Sequence, residues 1–201
     1  MKIDVWSDFV CPWCFLGTSS LRQLQESHPV EVTWHSFELR PAGSPPISPE
    51  YLARIEAAQP QLKRMATEVY GIEINGGKFG IDSRPALIGE KYAETQGKGD
   101  AYHWAMFRAY WEDAKDISDE AVLREVAESV GLEGDAFIEA LKDPAYNIQV
   151  TQDVYQAQQI GITGVPALLF AEKYLVSGAQ PYESLVDILR QIDELEKQEA
   201  S

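Results

Sequence analysis

Both cysteines of this 201-residue chain lie in one tetrapeptide, Cys11-Pro12-Trp13-Cys14. They follow the mostly apolar run Ile3 to Val10 and precede an amphipathic stretch. Two thiols at i and i+3 on a first helical turn can bridge with little backbone movement. That turn also sets the first sulfur against unpaired backbone N–H groups and the positive end of the helix dipole. Both favour the thiolate, the species that attacks disulfides. Pro12 suits the first helical position, where its missing N–H is no loss and its fixed φ helps start the helix. The competing chemistry is half of a zinc site. Structural zinc takes four ligands; no second cysteine pair exists, and His28, His35 and His103 are scattered. The pattern therefore predicts redox chemistry and no metal.

Gly164-Val165-Pro166 is the second signal. A trans proline opening an edge strand would satisfy it. So would a cis proline packed over the dithiol, with the Val165 backbone N–H and C=O offered to an extended substrate segment. A Val-Pro at the start of one strand, in a chain with Cys-Pro-Trp-Cys after another, favours the cis reading.

The elements that must hold these residues follow from patterning. Ile3 and Val5 alternate with Lys2 and Asp4 as in a strand. Phe15, Leu16, Leu21 and Leu24 place apolar residues on one side of a helix from about Pro12 to Ser27, which His28-Pro29 ends. Val30 to Phe37 reads as a second strand. After Arg40 a proline-rich loop opens a helical block reaching about Ile160, with predicted helices at Tyr51–Tyr70, Ser83–Gln96 and Ala101–Asp113. Ser118 is expected to cap a further helix ending at Val130, with Asp119 and Glu120 in its first turn and Gly131 as its stop. Asp143-Pro144 predicts an N-cap and first position of a helix that Gly161 closes. Strand character returns at Ala167–Phe170 and Tyr174–Val176, and a helix runs from Pro181 to about Lys197. The first two strands should be parallel across a right-handed crossover and the last two antiparallel. The expected fold class is α/β. Residues 1–40 with 161–201 form the β/α frame, and residues 41–160 form an all-helical insertion between its second and third strands.

With 45% hydrophobic residues the chain can build a real core, and its net charge of −15 disfavours nucleic acid or an anionic membrane as partner. The opening residues read as a first strand rather than a leader, and the longest apolar run is too short to span a bilayer. The expected location is cytoplasmic, where structural disulfides are rare.

Several stretches together resemble the DsbA-like thioredoxin superfamily, and within it the FrnE-type branch related to 2-hydroxychromene-2-carboxylate isomerase. They are Ser7-Asp8-Phe9-Val10-Cys11-Pro12-Trp13-Cys14, Trp34-His35-Ser36-Phe37-Glu38-Leu39, Phe107-Arg108-Ala109-Tyr110-Trp111, Asp116-Ile117-Ser118-Asp119, Gly161 to Pro166, and Val176 to Pro181. The resemblance implies a thioredoxin fold, with Cys11 as exposed nucleophile, Cys14 as buried resolving thiol and Pro166 as the cis proline. Two departures matter. The family commonly carries a buried acid six residues before the nucleophile, where this chain has Val5; Asp8, an insertion residue or water would have to substitute. Strong oxidants of the family usually place a histidine between the cysteines, where this chain has the neutral Trp13. That implies a moderate couple, between roughly −120 and −270 mV.

The leading expectation is a thiol–disulfide oxidoreductase that exchanges disulfides with protein or small-molecule substrates. It needs no cofactor beyond glutathione as a possible thiol partner. The alternatives are a glutathione-dependent isomerase or kappa-class transferase, and a non-enzymatic partner-binding module. Trp13 is expected at the site rim or packed on the insertion. His35 reads as a core or edge histidine rather than a base, and Asn75 to Gly80 as a turn rather than a phosphate loop. The aromatic cluster Tyr102, Trp104, Phe107, Tyr110 and Trp111 reads as core or as a groove wall.

Overall fold

A computed structural model describes residues 1–199. Four strands, β1 (Lys2–Ser7), β2 (Glu31–Ser36), β3 (Ala167–Phe170) and β4 (Tyr174–Ser177), form one sheet in the order β2-β1-β3-β4. β1 runs parallel to β2 with Val5 opposite Trp34, and antiparallel to β3 with Val5 opposite Leu168. β3 and β4 are antiparallel. Helix α1 (Pro12–Ser27) makes the crossover from β1 to β2. Between β2 and β3 lie α2 (Pro49–Tyr70), α3 (Arg84–Thr95), α4 (Gly99–Trp111), α5 (Glu120–Ser129), α6 (Gly134–Ala140) and α7 (Pro144–Gln159); α8 (Tyr182–Glu199) follows β4.

Alternation along β1 divides the core. Ile3 and Val5 face α1 and α8, where they bury against Leu21, Leu24, Leu185, Leu189 and Ile192. Each such side chain contributes about 1.5–3 kcal/mol. Trp6 points the other way, into a smaller cluster with Ala157 of α7 and Ala167. The largest cluster joins Phe9, in the loop before α1, and Phe15 and Leu16 of its first turns to the helical block around Tyr102, Phe107 and Tyr110.

The edge of β2 would present unpaired backbone groups, a liability that side chains from two helices remove. The Ser36 N–H donates to Asp153 Oδ2 at 2.9 Å, and Lys91 Nζ donates to the Trp34 carbonyl at 3.0 Å. Lys91 also meets Asp153 at 2.9 Å. His35 closes the network, with Nδ1 3.1 Å from Asp153 and Nε2 2.9 Å from Asp4, its ring stacked on Trp6. Burial opposes the His35 imidazolium, but the two carboxylates outweigh it and hold its pKa above the usual 6.5.

Local signals set the helix ends. His28, before Pro29, is extended at φ −134° and ψ 150°, and its N–H closes α1 on the Leu24 carbonyl. Ser48 and Asp143 cap α2 and α7. The expected Ser118 cap is displaced by one residue. Asp119 is the N-cap of α5, accepting from the Ala121 N–H at 2.9 Å. Ser118 instead donates its backbone N–H to Asp116 Oδ1 at 3.1 Å, an Asx turn that uses the serine before the helix begins. Gly77, in the turn expected at Asn75 to Gly80, faces the Tyr110 ring so closely that no Cβ would fit.

Candidate dithiol site

β1 delivers the chain to a four-residue loop that ends at Cys11, the N-cap of α1. Cys11 is extended, with φ −92° and ψ 116°, and its side chain makes no capping bond. The Cys11 N–H donates to the Asp8 carbonyl at 3.0 Å, and the Cys11 carbonyl accepts from the N–H groups of Cys14 at 3.1 Å and Phe15 at 3.3 Å. The two sulfurs thus share one helical turn, and both are free thiols. The nucleophile position is not exposed as the resemblance implied. Cys11 is 3% accessible and Cys14 1%. Cys11 is covered because the loop before β3 packs over it: its Sγ lies 3.5 Å from the Val165 carbonyl, a thiol-to-carbonyl hydrogen bond.

The Val165–Pro166 peptide is cis. Its loop is fixed by the Gly178 N–H, which donates to the Pro166 carbonyl at 2.8 Å. A Cβ at Gly17 would sit 3.4 Å from Pro166 Cγ, so α1 and this loop meet at van der Waals distance. Residues 154 positions apart are thereby brought together. Trp13 is 42% exposed beside them, at the rim. A depression of about 290 Å³ runs along Thr163, Gly164, Val165 and Leu175.

Electrostatics separate the two thiols' surroundings. Burial, and then the neighbouring Cys11, push the Cys14 thiol well above the ordinary range; the Asp8 backbone N–H and the Ser7 hydroxyl act in the opposite direction. The Asp8 carboxyl is fully buried. Its Oδ2 accepts from the Leu39 N–H at 2.8 Å and its Oδ1 from the Val10 N–H at 3.3 Å. Burial nevertheless dominates these bonds and a further one from Ser83, and raises its pKa from 3.8 to about 6. Asp8 therefore ties the loop before Cys11 to the segment after β2 and to the start of α3. Trp111 supports the same loop, donating its Nε1–H to the Phe9 carbonyl at 2.9 Å.

A DSBA-like thioredoxin domain model matches residues 2–190. The chain belongs to that family. Its DsbA-like fold is shared by a probable DsbA oxidoreductase from Streptomyces coelicolor, with a TM-score of 0.81, 29% identity, and coverage of 95% of this chain and 89% of that one. Among curated proteins the chain is 32% identical to the uncharacterized protein YwbO of Bacillus subtilis (strain 168), over 89% of this chain and 91% of the relative. It is 26% identical to a 2-hydroxychromene-2-carboxylate isomerase of Sphingobium xenophagum, over 88% and 91%.

Within this DsbA-like domain the remaining sequence candidates fall away from the sulfurs. His35 lies in the β2 edge network described above. Tyr102, Phe107, Tyr110 and Trp111 are core residues, whereas Trp104 lines a groove of about 760 Å³ between α1 and α4, with the Arg22 guanidinium 4.4 Å over its ring. No cysteine lines that groove. Sequence reasoning missed Ser83, which meets Asp8 only after a long helical excursion, and Ser7. The signal for Ser7 was available: it shares the alternation of Ile3 and Val5 toward α1.

Proposed function

We propose that this protein is a thiol–disulfide oxidoreductase whose redox couple is Cys11/Cys14. One observation carries the reading: two free thiols share the first turn of α1 with the Val165 carbonyl 3.5 Å from the first sulfur. In the mechanism, the Cys11 thiolate attacks a substrate disulfide R–S–S–R′. The Cys11–S–S–R bond forms and R′–S⁻ leaves. Cys14 then attacks the Cys11 sulfur, the internal disulfide closes, and R–S⁻ departs; the Cys14 proton ends on that leaving thiolate. Reversed, the same steps oxidise a dithiol, and the poise of the surroundings sets the direction. Pro12 starts the helix, and Trp13 with Val165 and Pro166 forms the rim where an extended substrate segment would lie. On this reading residues 1–40 and 161–201 are the thioredoxin-fold domain and residues 41–160 its helical insertion. The proposed setting is the cytoplasm, with glutathione as one available thiol partner and protein or small-molecule disulfides as substrates.

Insulin reduction with a thiol donor tests the assignment. The wild-type chain should be active, Cys11→Ala inactive, and Cys14→Ala should accumulate a mixed disulfide through Cys11. Full activity in Cys11→Ala overturns the reading. The relative named 2-hydroxychromene-2-carboxylate isomerase favours a second reading, in which bound glutathione supplies the thiolate. Glutathione binding and isomerase turnover that survive Cys14→Ala would select it.

A further inference from the structure

Ser7 ends β1, is 4% exposed, and its hydroxyl has no hydrogen-bond partner among the described residues. Its neighbours on the same face of β1, Ile3 and Val5, are packed against α1. The strand therefore aims Ser7 at the helix whose first turn carries Cys14. A buried hydroxyl without a partner is unusual, because burial strips it of water without replacement. The first turn of α1 carries Cys14 and faces the same side, and the Ser7 hydroxyl acts on that thiol in the direction of a donor that favours the thiolate. The position six residues before Cys11 gives no help, since Val5 is apolar and 1% exposed in the core.

We propose that Ser7 is a positioning residue for the resolving step, its hydroxyl donating to the Cys14 thiolate as that sulfur attacks the Cys11 mixed disulfide. The inference rests on the proposed Cys11/Cys14 exchange. With the thiols protonated the donor stands idle. When Cys14 loses its proton, the hydroxyl and the Asp8 backbone N–H together compensate the buried charge. The bond that forms is Cys14–S–S–Cys11; the bond that breaks joins Cys11 to the substrate sulfur, which leaves with the electron pair and takes up the proton.

Stopped-flow reaction with 5,5′-dithiobis(2-nitrobenzoate) separates the steps. Attack by Cys11 releases one thionitrobenzoate anion, and resolution by Cys14 releases a second. In Ser7→Ala the second release should slow roughly ten- to a hundredfold near neutral pH, the effect of losing a hydrogen bond to a charged group. Its pH–rate profile should move to higher pH, while the first release keeps its wild-type rate. Ser7→Thr, which retains the hydroxyl, should restore the second rate and its profile. An unchanged second release in Ser7→Ala, or equal slowing of both releases, overturns the role of Ser7. A wild-type chain that releases only one anion overturns the exchange reading, and this inference with it.

Discussion

Asp8→Asn isolates the charge held beneath the loop before Cys11. The carboxyl is wholly buried, and burial outweighs its bonds to the Leu39 and Val10 N–H groups and to Ser83, raising its pKa from 3.8 to about 6. A shift of about two units corresponds to ~3 kcal/mol. The folded protein keeps this proton up to about pH 6, whereas the unfolded chain releases it near 3.8. Between those values the folded state binds more protons, so stability falls as pH rises. Above about pH 6 the full penalty applies. Asparagine has the same shape and cannot ionise. The stability of Asp8→Asn relative to wild type should therefore climb by ~2.4 kcal/mol between pH 4 and pH 7 and then level off. A constant offset is expected from the bonds that asparagine makes less well, but it does not vary with pH. Urea unfolding followed by tryptophan fluorescence measures this difference, and equal m-values would show that the unfolded states are comparable. Subtracting the two proteins cancels the titration of every other group. A flat difference would refute the reasoning. So would a variant that loses ground as pH rises, because the backbone donors would then be holding Asp8 ionised throughout.

The network at the β2 edge should show the opposite pH dependence. His35 has a raised pKa, so the stability it contributes is fully present below about pH 6.5 and is lost as pH rises through its higher folded value. His35→Gln should cost on the order of 1–3 kcal/mol at pH 5.5 and clearly less at pH 9, in the same urea assay. Gly77→Ala would drive a methyl group into the Tyr110 ring. Overpacking of this kind costs roughly 1–3 kcal/mol, and calorimetry should show the melting temperature falling by several degrees.

Local chemistry made much of the fold legible. The apolar spacing of Phe15, Leu16, Leu21 and Leu24, a proline at the start and His28-Pro29 at the end marked α1 to the residue. The antiparallel pairing expected of the last two strands is that of β3 and β4, and Asp143-Pro144 marked the start of α7. The site pairing was legible in outline, because a Cys-x-x-Cys after one strand and a Val-Pro before another can meet only if those strands are neighbours, as β1 and β3 are. What the sequence hid depends on distant contacts or on near-equal local choices. Ser118 and Asp119 are both good caps, and Asp116 decides between them by engaging Ser118. The burial of Cys11 depends on a carbonyl 154 residues away. Asp8 could be named as a candidate, but its partners at positions 39 and 83 belong to segments whose approach no spacing encodes.

The valine at position 5 takes on a different meaning in this setting. An acid there would be buried among Leu21, Leu24 and Leu168, on the face of β1 that packs against α1. The chain keeps its buried and half-buried acids elsewhere: Asp4 is on the opposite face with His35, Asp153 is with Lys91, and Glu90 is with His103. Each has a basic partner that limits the cost of burying its charge. Asp8 has no such ion pair among the described residues, and burial keeps it protonated to about pH 6. On the proposed mechanism, a neutral hydroxyl then does work that a carboxylate does elsewhere in the family. The two are not equivalent. A carboxylate can accept the Cys14 proton but repels the thiolate it leaves behind, whereas a hydroxyl favours the thiolate and does not take up the proton. Resolution would then require the proton to reach the leaving thiolate or solvent, so its rate should rise with pH up to the point where Cys14 itself titrates.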